Sequence, residues 1–326
     1  MRVAIVGAGT MGAIHADSIA TIPEWSVDSI FVGDAKPKPG LLDKHHAAVC
    51  RSEKELWDRN CDVVVICTPT PTHAHYAIRA LQSGKHVFLE KPIARSLEQA
   101  EIVLHHAASS ETTFMVGHVL RFFHEYLHLK TLLDKETIGT PGVARLARRG
   151  RFPQGDLNWY SEYSQSGGVI LDMVIHDLDF LRWCFGEVDE VCAGNLMSRG
   201  VRNSDYTLIV LRFKNGVIAH VEGSWAFEGE FHTTVEIAGT SGLISFNSLD
   251  AAPLAAFVKQ SGDKRESVAV PRSPVKVSPY LSEIRHFADC VEHKRPPAIT
   301  GADAYQALQI ALAAMRSAET HEPVKL

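Results

Sequence analysis

The 326-residue chain reads as an α/β protein: an N-terminal doubly wound parallel sheet, then an α+β domain containing an open, mostly antiparallel sheet. Three observations predict this. Val- and Ile-rich runs alternate with single helical patterns up to about residue 118. A glycine-rich turn follows the first of those runs. Beyond residue 118 strand patterns succeed one another with turns, not helices, between them.

In order, the first part offers VAIVG, a helix from about Met11, VDSIFVGD, a helix near Glu53 to Arg59, DVVVICT, a helix from Thr72 to Ser83, KHVFLE, a helix from Ser96 to Ala108, and TTFMVGH. Its strands are nearly continuous apolar runs, as expected of parallel strands covered on both faces. A helix around Arg121 to Leu133 opens the second part, and LDMVIHDLDFLRW follows at residues 171–183. Then come EVDEVCAGNL, DYTLIVLRF, VIAHVEGSWAF, HTTVEIAG and GLISFN, with tight turns expected at Asn215-Gly216 and between Gly239 and Gly242. Residues 251–278 lack periodicity and read as an irregular excursion. Helical patterns near Leu281 to His293 and Ala302 to Ala318 close the chain. The expected domains are 1–118 and 119–326, with the last helix able to pack on the first.

Composition narrows the function. A net charge of -5 leaves no basic stripe for nucleic acid, so small molecules are the expected partners. Six cysteines without a C-x-x-C pair suit a reducing cytoplasm, and no apolar run approaches the ~18 residues of a membrane span.

The stretch VAIVGAGTMGAIHA places Gly7, Gly9 and Gly12, with Thr10 and Met11 between them, directly after a strand and at the mouth of a helix. Gly7 permits the tight turn, Gly9 lets backbone approach a pyrophosphate, and Gly12 lets the helix pack closely on the strand. Free N–H groups at the helix start then face the phosphates. Asp34 ends the second strand, where a carboxylate accepts the adenosine ribose hydroxyls and repels a 2′-phosphate, which favours NAD. Lys36 and Lys38 follow it and keep NADP as an alternative.

At residues 68–94, TPTPTHAHYAIRALQSGKHVFLEKPIA sets Glu90, Lys91 and Pro92 at the C-terminal end of a strand, where open parallel sheets bind ligands. Together with GHVLRF, GGVILDMVIHDLDF, EGSW, VEIAGTSG and the closing GADAYQALQIALAA, this stretch resembles the Gfo/Idh/MocA oxidoreductases over nearly the whole chain. The resemblance implies an N-terminal Rossmann domain, a C-terminal domain whose open sheet commonly mediates homodimers or homotetramers, and a catalytic Lys91, Asp172 and His176. It places Glu90 at the nicotinamide ribose, and Thr68, Pro69 and His73 along the nicotinamide side. A cis peptide at Lys91-Pro92 is in keeping with it. In one departure, Phe231 and His232 precede Glu236 where some inositol dehydrogenases place a substrate-contacting Tyr.

The expected function is hydride transfer between a secondary alcohol of a sugar, cyclitol or related polyol and NAD. His176 would take the hydroxyl proton, since its ordinary pKa of about 6.5 suits a base near neutrality. Lys91 would donate a hydrogen bond to the same oxygen, and Asp172 would orient the imidazole or hold a neighbouring hydroxyl. Arg121 is a further substrate-binding candidate; Trp225 fits a substrate wall or the core equally well. Two alternatives stand beside this: a retained-NAD epimerase or glycoside-cleaving enzyme, and a nonenzymatic dinucleotide sensor. No metal is expected, because Asp172, His176 and Asp179 stretch about 10 Å along a helix of 1.5 Å rise.

Overall fold

The computed structural model describes residues 1–33, 35–154, 156–197, 205–250 and 277–326. Asp34, the basis for expecting NAD, and residues 251–276 of the expected excursion lie outside them. The chain divides into two compact units, Met1–Phe122 with Val277–Gln309, and Phe123–Lys276 with Ile310–Leu326.

In chain order the first unit holds β1 (Arg2–Val6), α1 (Thr10–Ile19), β2 (Ser26–Phe31), α2 (Leu41–His45), β3 (Ala48–Cys50), α3 (Glu53–Trp57), β4 (Val63–Ile66), α4 (His73–Gln82), β5 (His86–Glu90), α5 (Leu97–Ala108) and β6 (Phe114–Gly117). The six strands form one parallel sheet in the order β3-β2-β1-β4-β5-β6. The order reverses between β1 and β4, so a crevice opens beyond their C-terminal ends. Every residue of β4, and Val87, Phe88 and Leu89 of β5, is apolar and buried, as a two-sided core demands.

The second unit begins with α6 (His124–Asp134), β7 (Pro141–Arg149), α7 (Tyr163–Ser166), α8 (Ile175–Phe185) and β8 (Val188–Asn195). It continues with β9 (Tyr206–Phe213), β10 (Ile218–Ser224), β11 (His232–Gly239) and β12 (Gly242–Asn247). Then follow α9 (Pro279–His293), which belongs to the first unit, α10 (Gly301–Thr320), shared between the two, and β13 (Val324–Lys325). The second sheet runs β12-β11-β7-β10-β9-β8-β13, antiparallel throughout except where β7 pairs β10. Strand β7, central to this sheet, is absent from the sequence expectation.

One face of that sheet is covered. The alternation is clearest in β9, where Thr207, Ile209, Leu211 and Phe213 are buried while Leu208 and Val210 are exposed. At Gly223 a Cβ would come within 2.3 Å of Val174, so the helical layer over β10 is in close contact. In the first unit α9 brings Ile284, Phe287, Ala288 and Val291 into the same core as Val3, Ile5, Val63 and Phe88. Among the described residues no helix is long and apolar enough to cross a membrane.

Candidate active site

The glycine turn fits a dinucleotide by what each position excludes. Gly7 has a φ of +111°, and a Cβ there would lie 2.6 Å from the Cys67 carbonyl oxygen. A Cβ on Gly12 would lie 2.0 Å from the Gly7 carbonyl oxygen. The protein itself requires both glycines. Gly9 is different: it is exposed, a Cβ there meets nothing within 4 Å, and it caps the N-terminus of α1 just before Thr10 and Met11. Open space over the N–H groups of a helix start is what a pyrophosphate needs.

The loops after β4 and β5 are tied together from beneath. His73, 1% exposed, sets Nδ1 2.7 Å from the Pro92 carbonyl and Nε2 2.8 Å from the Thr68 carbonyl. Burial lowers its pKa, against the two carbonyls that favour a protonated ring. His73 therefore shapes the loop, whereas Thr68 is half-buried and Pro69 exposed above it. The Lys91-Pro92 peptide is cis.

Glu90 is buried at the end of β5, with Oε1 2.6 Å from His15 Nε2, and its Oε2 accepts from the Lys91 backbone N–H at 3.3 Å. Burial raises its pKa, but the His15 hydrogen bond, then the charges of His15, Lys91 and His73, bring it below the usual carboxylate value. Glu90 is an ionised carboxylate and His15 Nε2 donates to it. His15 is a site residue that the sequence did not single out. It lies three residues past Gly12, a spacing that had no partner to point to until β5 was placed.

Arg121, in a short 3₁₀ turn at Val119–Phe122, is buried; its guanidinium donates to the Ala298 carbonyl at 3.4 Å and pairs with Asp303 at 3.5 Å. It anchors the start of α10 to the end of the parallel sheet.

In the second unit the helix expected at 171–183 is two structures. Ile170–Val174 is a π-helical turn and α8 follows from Ile175. Two of its acids are buried, Asp177 at 2% and Asp179 at 0% exposure. From Ser166 to Leu181 every residue is buried except Asp172 and His176, which are half-exposed. π-Helical turns are uncommon and cluster at functional sites.

Two buried acids fix this segment. Asp205 accepts from the backbone N–H of Val169 (2.8 Å) and Met197 (2.9 Å) and from Asn195 Nδ2 (3.0 Å). Its carboxylate lies 2.5 Å from where a Gly168 Cβ would stand, and Gly168 has a φ of +64°. Asp177 binds the Arg148 guanidinium through two contacts of 2.7 Å, and Arg148 also donates to Tyr126 Oη at 3.1 Å. Burial disfavours the Arg148 charge, but Asp177 holds it; burial pushes Tyr126 up to about 12. Trp225 is buried against Phe152 and Tyr160, in the core. Among the described residues no group of three His, Cys, Asp or Glu is placed to hold a metal ion.

Residues 1–118 match the model of the oxidoreductase family with an NAD-binding Rossmann fold, and residues 126–245 match that of the GFO/IDH/MocA C-terminal domain. The chain belongs to the Gfo/Idh/MocA oxidoreductase family. It is 29% identical to the myo-inositol 2-dehydrogenase of Thermotoga maritima, over 100% of this chain and 98% of that protein. It is 30% identical to the uncharacterized oxidoreductase YrbE of Bacillus subtilis, over 99% and 95%. In fold it is similar to GenD2 from gentamicin A biosynthesis, solved in complex with NAD: the TM-score is 0.88 at 24% identity, covering 100% of this chain and 96% of that one. The first unit of this Gfo/Idh/MocA protein is thus an NAD-binding Rossmann domain, and the protein is an oxidoreductase.

Proposed function

We propose that this oxidoreductase oxidises a secondary alcohol of a sugar, cyclitol or related polyol, with His176 as base, Lys91 as hydrogen-bond donor to the reacting oxygen and Asp172 as the group that aligns the imidazole. The observation that carries the assignment is the pair of half-exposed side chains, Asp172 and His176, in a run otherwise buried from Ser166 to Leu181. Full-length likeness to a myo-inositol 2-dehydrogenase supports the substrate class. Phe231 and His232 argue against fixing on inositol itself: Phe231 stands 5.9 Å from the Arg148 guanidinium, and His232 contacts Asn247 at 2.9 Å.

Bound NAD supplies the hydride acceptor. His176 accepts the hydroxyl proton at a ring nitrogen, and Lys91 Nζ donates to the same oxygen, favouring alkoxide character. Glu90 binds on the nicotinamide-ribose side, Thr68 and Pro69 line that side, and Gly9, Thr10 and Met11 carry the pyrophosphate. Asp34 selects NAD over NADP through the ribose hydroxyls. Arg121 is an anchor in this reading, not a substrate ligand.

We also place the protein in the cytoplasm as a homodimer or homotetramer. All six cysteines are free thiols, and Leu208, Val210, Ile218 and Leu243 are exposed on strands of the second sheet.

The test is a panel of sugars, cyclitols and sugar acids with NAD and NADP separately, following reduced cofactor and ketone product. Stoichiometric NADH with a polyol is expected. Product without net NADH, or NAD binding with no turnover across the panel, would overturn the reading.

A further inference from the structure

Behind the His15–Glu90 pair lies a second buried acid that the proposed chemistry does not use. Glu283 is 0% exposed, and among the described residues neither of its carboxyl oxygens has a hydrogen-bond partner; nor does His15 Nδ1, also fully buried. Helix α9 aims it. Tyr280 stands edge-on to His15 at 6.4 Å between ring centroids, and Phe287 stands edge-on to Phe88 at 5.6 Å. Phe88 in turn contacts His15 at 5.0 Å. Residues 280, 283 and 287 share a helix face at 100° per residue, so Glu283 sits between two side chains that bracket the His15–Glu90 pair.

A bare carboxylate in that position would be fully desolvated and face a second carboxylate. Tyr280 on its own helix faces His15 on α1, the charge of Glu90 at the end of β5 acts on Glu283, and His15, Lys91 and His73 act in turn on Glu90. Burial first, then the charge of Glu90, raises the Glu283 pKa well above the usual carboxylate value. Cys67 is raised by burial and by both glutamates, which puts all three in one electrostatic cluster.

We propose that Glu283 is a neutral acid held behind the His15–Glu90 pair: its neutrality leaves Glu90, which His15 positions, as the one ionised carboxylate aimed at the nicotinamide side, weighting binding toward the oxidised cofactor. The oxidised nicotinamide ring is a cation and the reduced ring is neutral, so a fixed carboxylate beside it distinguishes the two. The proposal rests on the placement of Glu90 in the reading above.

Two measurements test it, neither using a substrate, so an absence of polyol turnover leaves it standing. In the infrared difference spectrum of wild-type minus Glu283→Gln apoprotein at neutral pH, the C=O stretch of a neutral carboxylic acid is expected. Its absence overturns the proposal. Dissociation constants for NAD⁺ and NADH are then compared. Glu90→Gln should lower the preference for NAD⁺ on the order of tenfold, and His15→Ala should move it the same way. Glu283→Gln should leave it unchanged at neutral pH but abolish the rise in NAD⁺ preference expected of the wild type where Glu283 ionises as pH is raised. A Glu283→Gln preference displaced at neutral pH as far as in Glu90→Gln, or a Glu90→Gln preference equal to wild type, overturns it.

Discussion

At the scale of single residues, His176 stands out by its surroundings more than by its helix position. Ile175 and Asp177 on either side are buried, and the imidazole is half-exposed. Replacing it with Ala removes the ring proposed as base. Turnover of the His176→Ala protein should fall by about 10² to 10⁴, with NAD affinity unchanged. Near-normal turnover with a polyol would take the base's role from it. Gly9 makes a second prediction, because the protein alone does not need a glycine there. In Gly9→Ala the thermal midpoint should hold while NAD binding weakens; unaltered NAD affinity would mean that the pyrophosphate does not pass over this position. Gly7, Gly9 and Gly12 were legible because their reasons are local, a turn and a helix start within six residues. His15 and Glu283 were not, since their meaning comes from Glu90 on a strand far away in the chain.

At the scale of elements, the π-helical turn is held from both sides, before it at Val169 and after it at Asp177 in the first turn of α8. Asp205 pins the N–H of Val169 where the π-helical turn begins, and Arg148 on β7 clamps Asp177 beside His176. Removing one partner leaves a buried charge alone. Asp177→Ala should therefore lose about 3–5 kcal/mol of stability in denaturant unfolding, and much of it should return in the double variant Arg148→Met, Asp177→Leu. A cost no larger in the single variant than in the double one would show the pair to be unimportant. Strand β7 was hidden for the same reason that it matters. Its sequence PGVARLARR buries Arg148 at 1% exposure next to Arg149, which pairs with Glu222 at 2.8 Å, so the alternation of a half-buried strand is broken by paired arginines. The π-helical turn was equally hidden, since its residues keep an ordinary helical stripe.

Helix α9 carries the pH dependence. Glu283 has a raised pKa in the folded protein, so its contribution to stability is fully present below the ordinary carboxylate value of about 4.3 and is lost as pH rises through the folded value. Glu283→Gln does not titrate. Its thermal midpoint should gain on that of the wild type as pH is raised above about 4. A difference that is the same at every pH would contradict the burial of an acid there.

At the scale of the whole molecule, the chain is threaded through its two units more than once: it leaves the first after Phe122, re-enters at Val277, and passes again within α10 at Ile310. Periodicity located α9 and α10 but carries no record of which core they join. The open face of the second sheet is the feature that reaches beyond one chain. Leu208 and Val210 on β9, Ile218 on β10 and Leu243 on β12 point outward, with Cys192 opposite Val210 on β8. Around them Arg145–Glu236 and Arg149–Glu222 form cross-strand ion pairs. Apolar side chains in a polar frame on an exposed sheet face suit a self-association surface. Because Val210 lies between Cys192 and His220 on its neighbouring strands, Val210→Glu puts a charge in the middle of that face without touching the buried one. Sedimentation should find the wild type as a dimer or tetramer and Val210→Glu as a smaller species with the same circular dichroism spectrum. A wild type that sediments as a monomer, or a variant that keeps the wild-type size, would remove this face from the assembly.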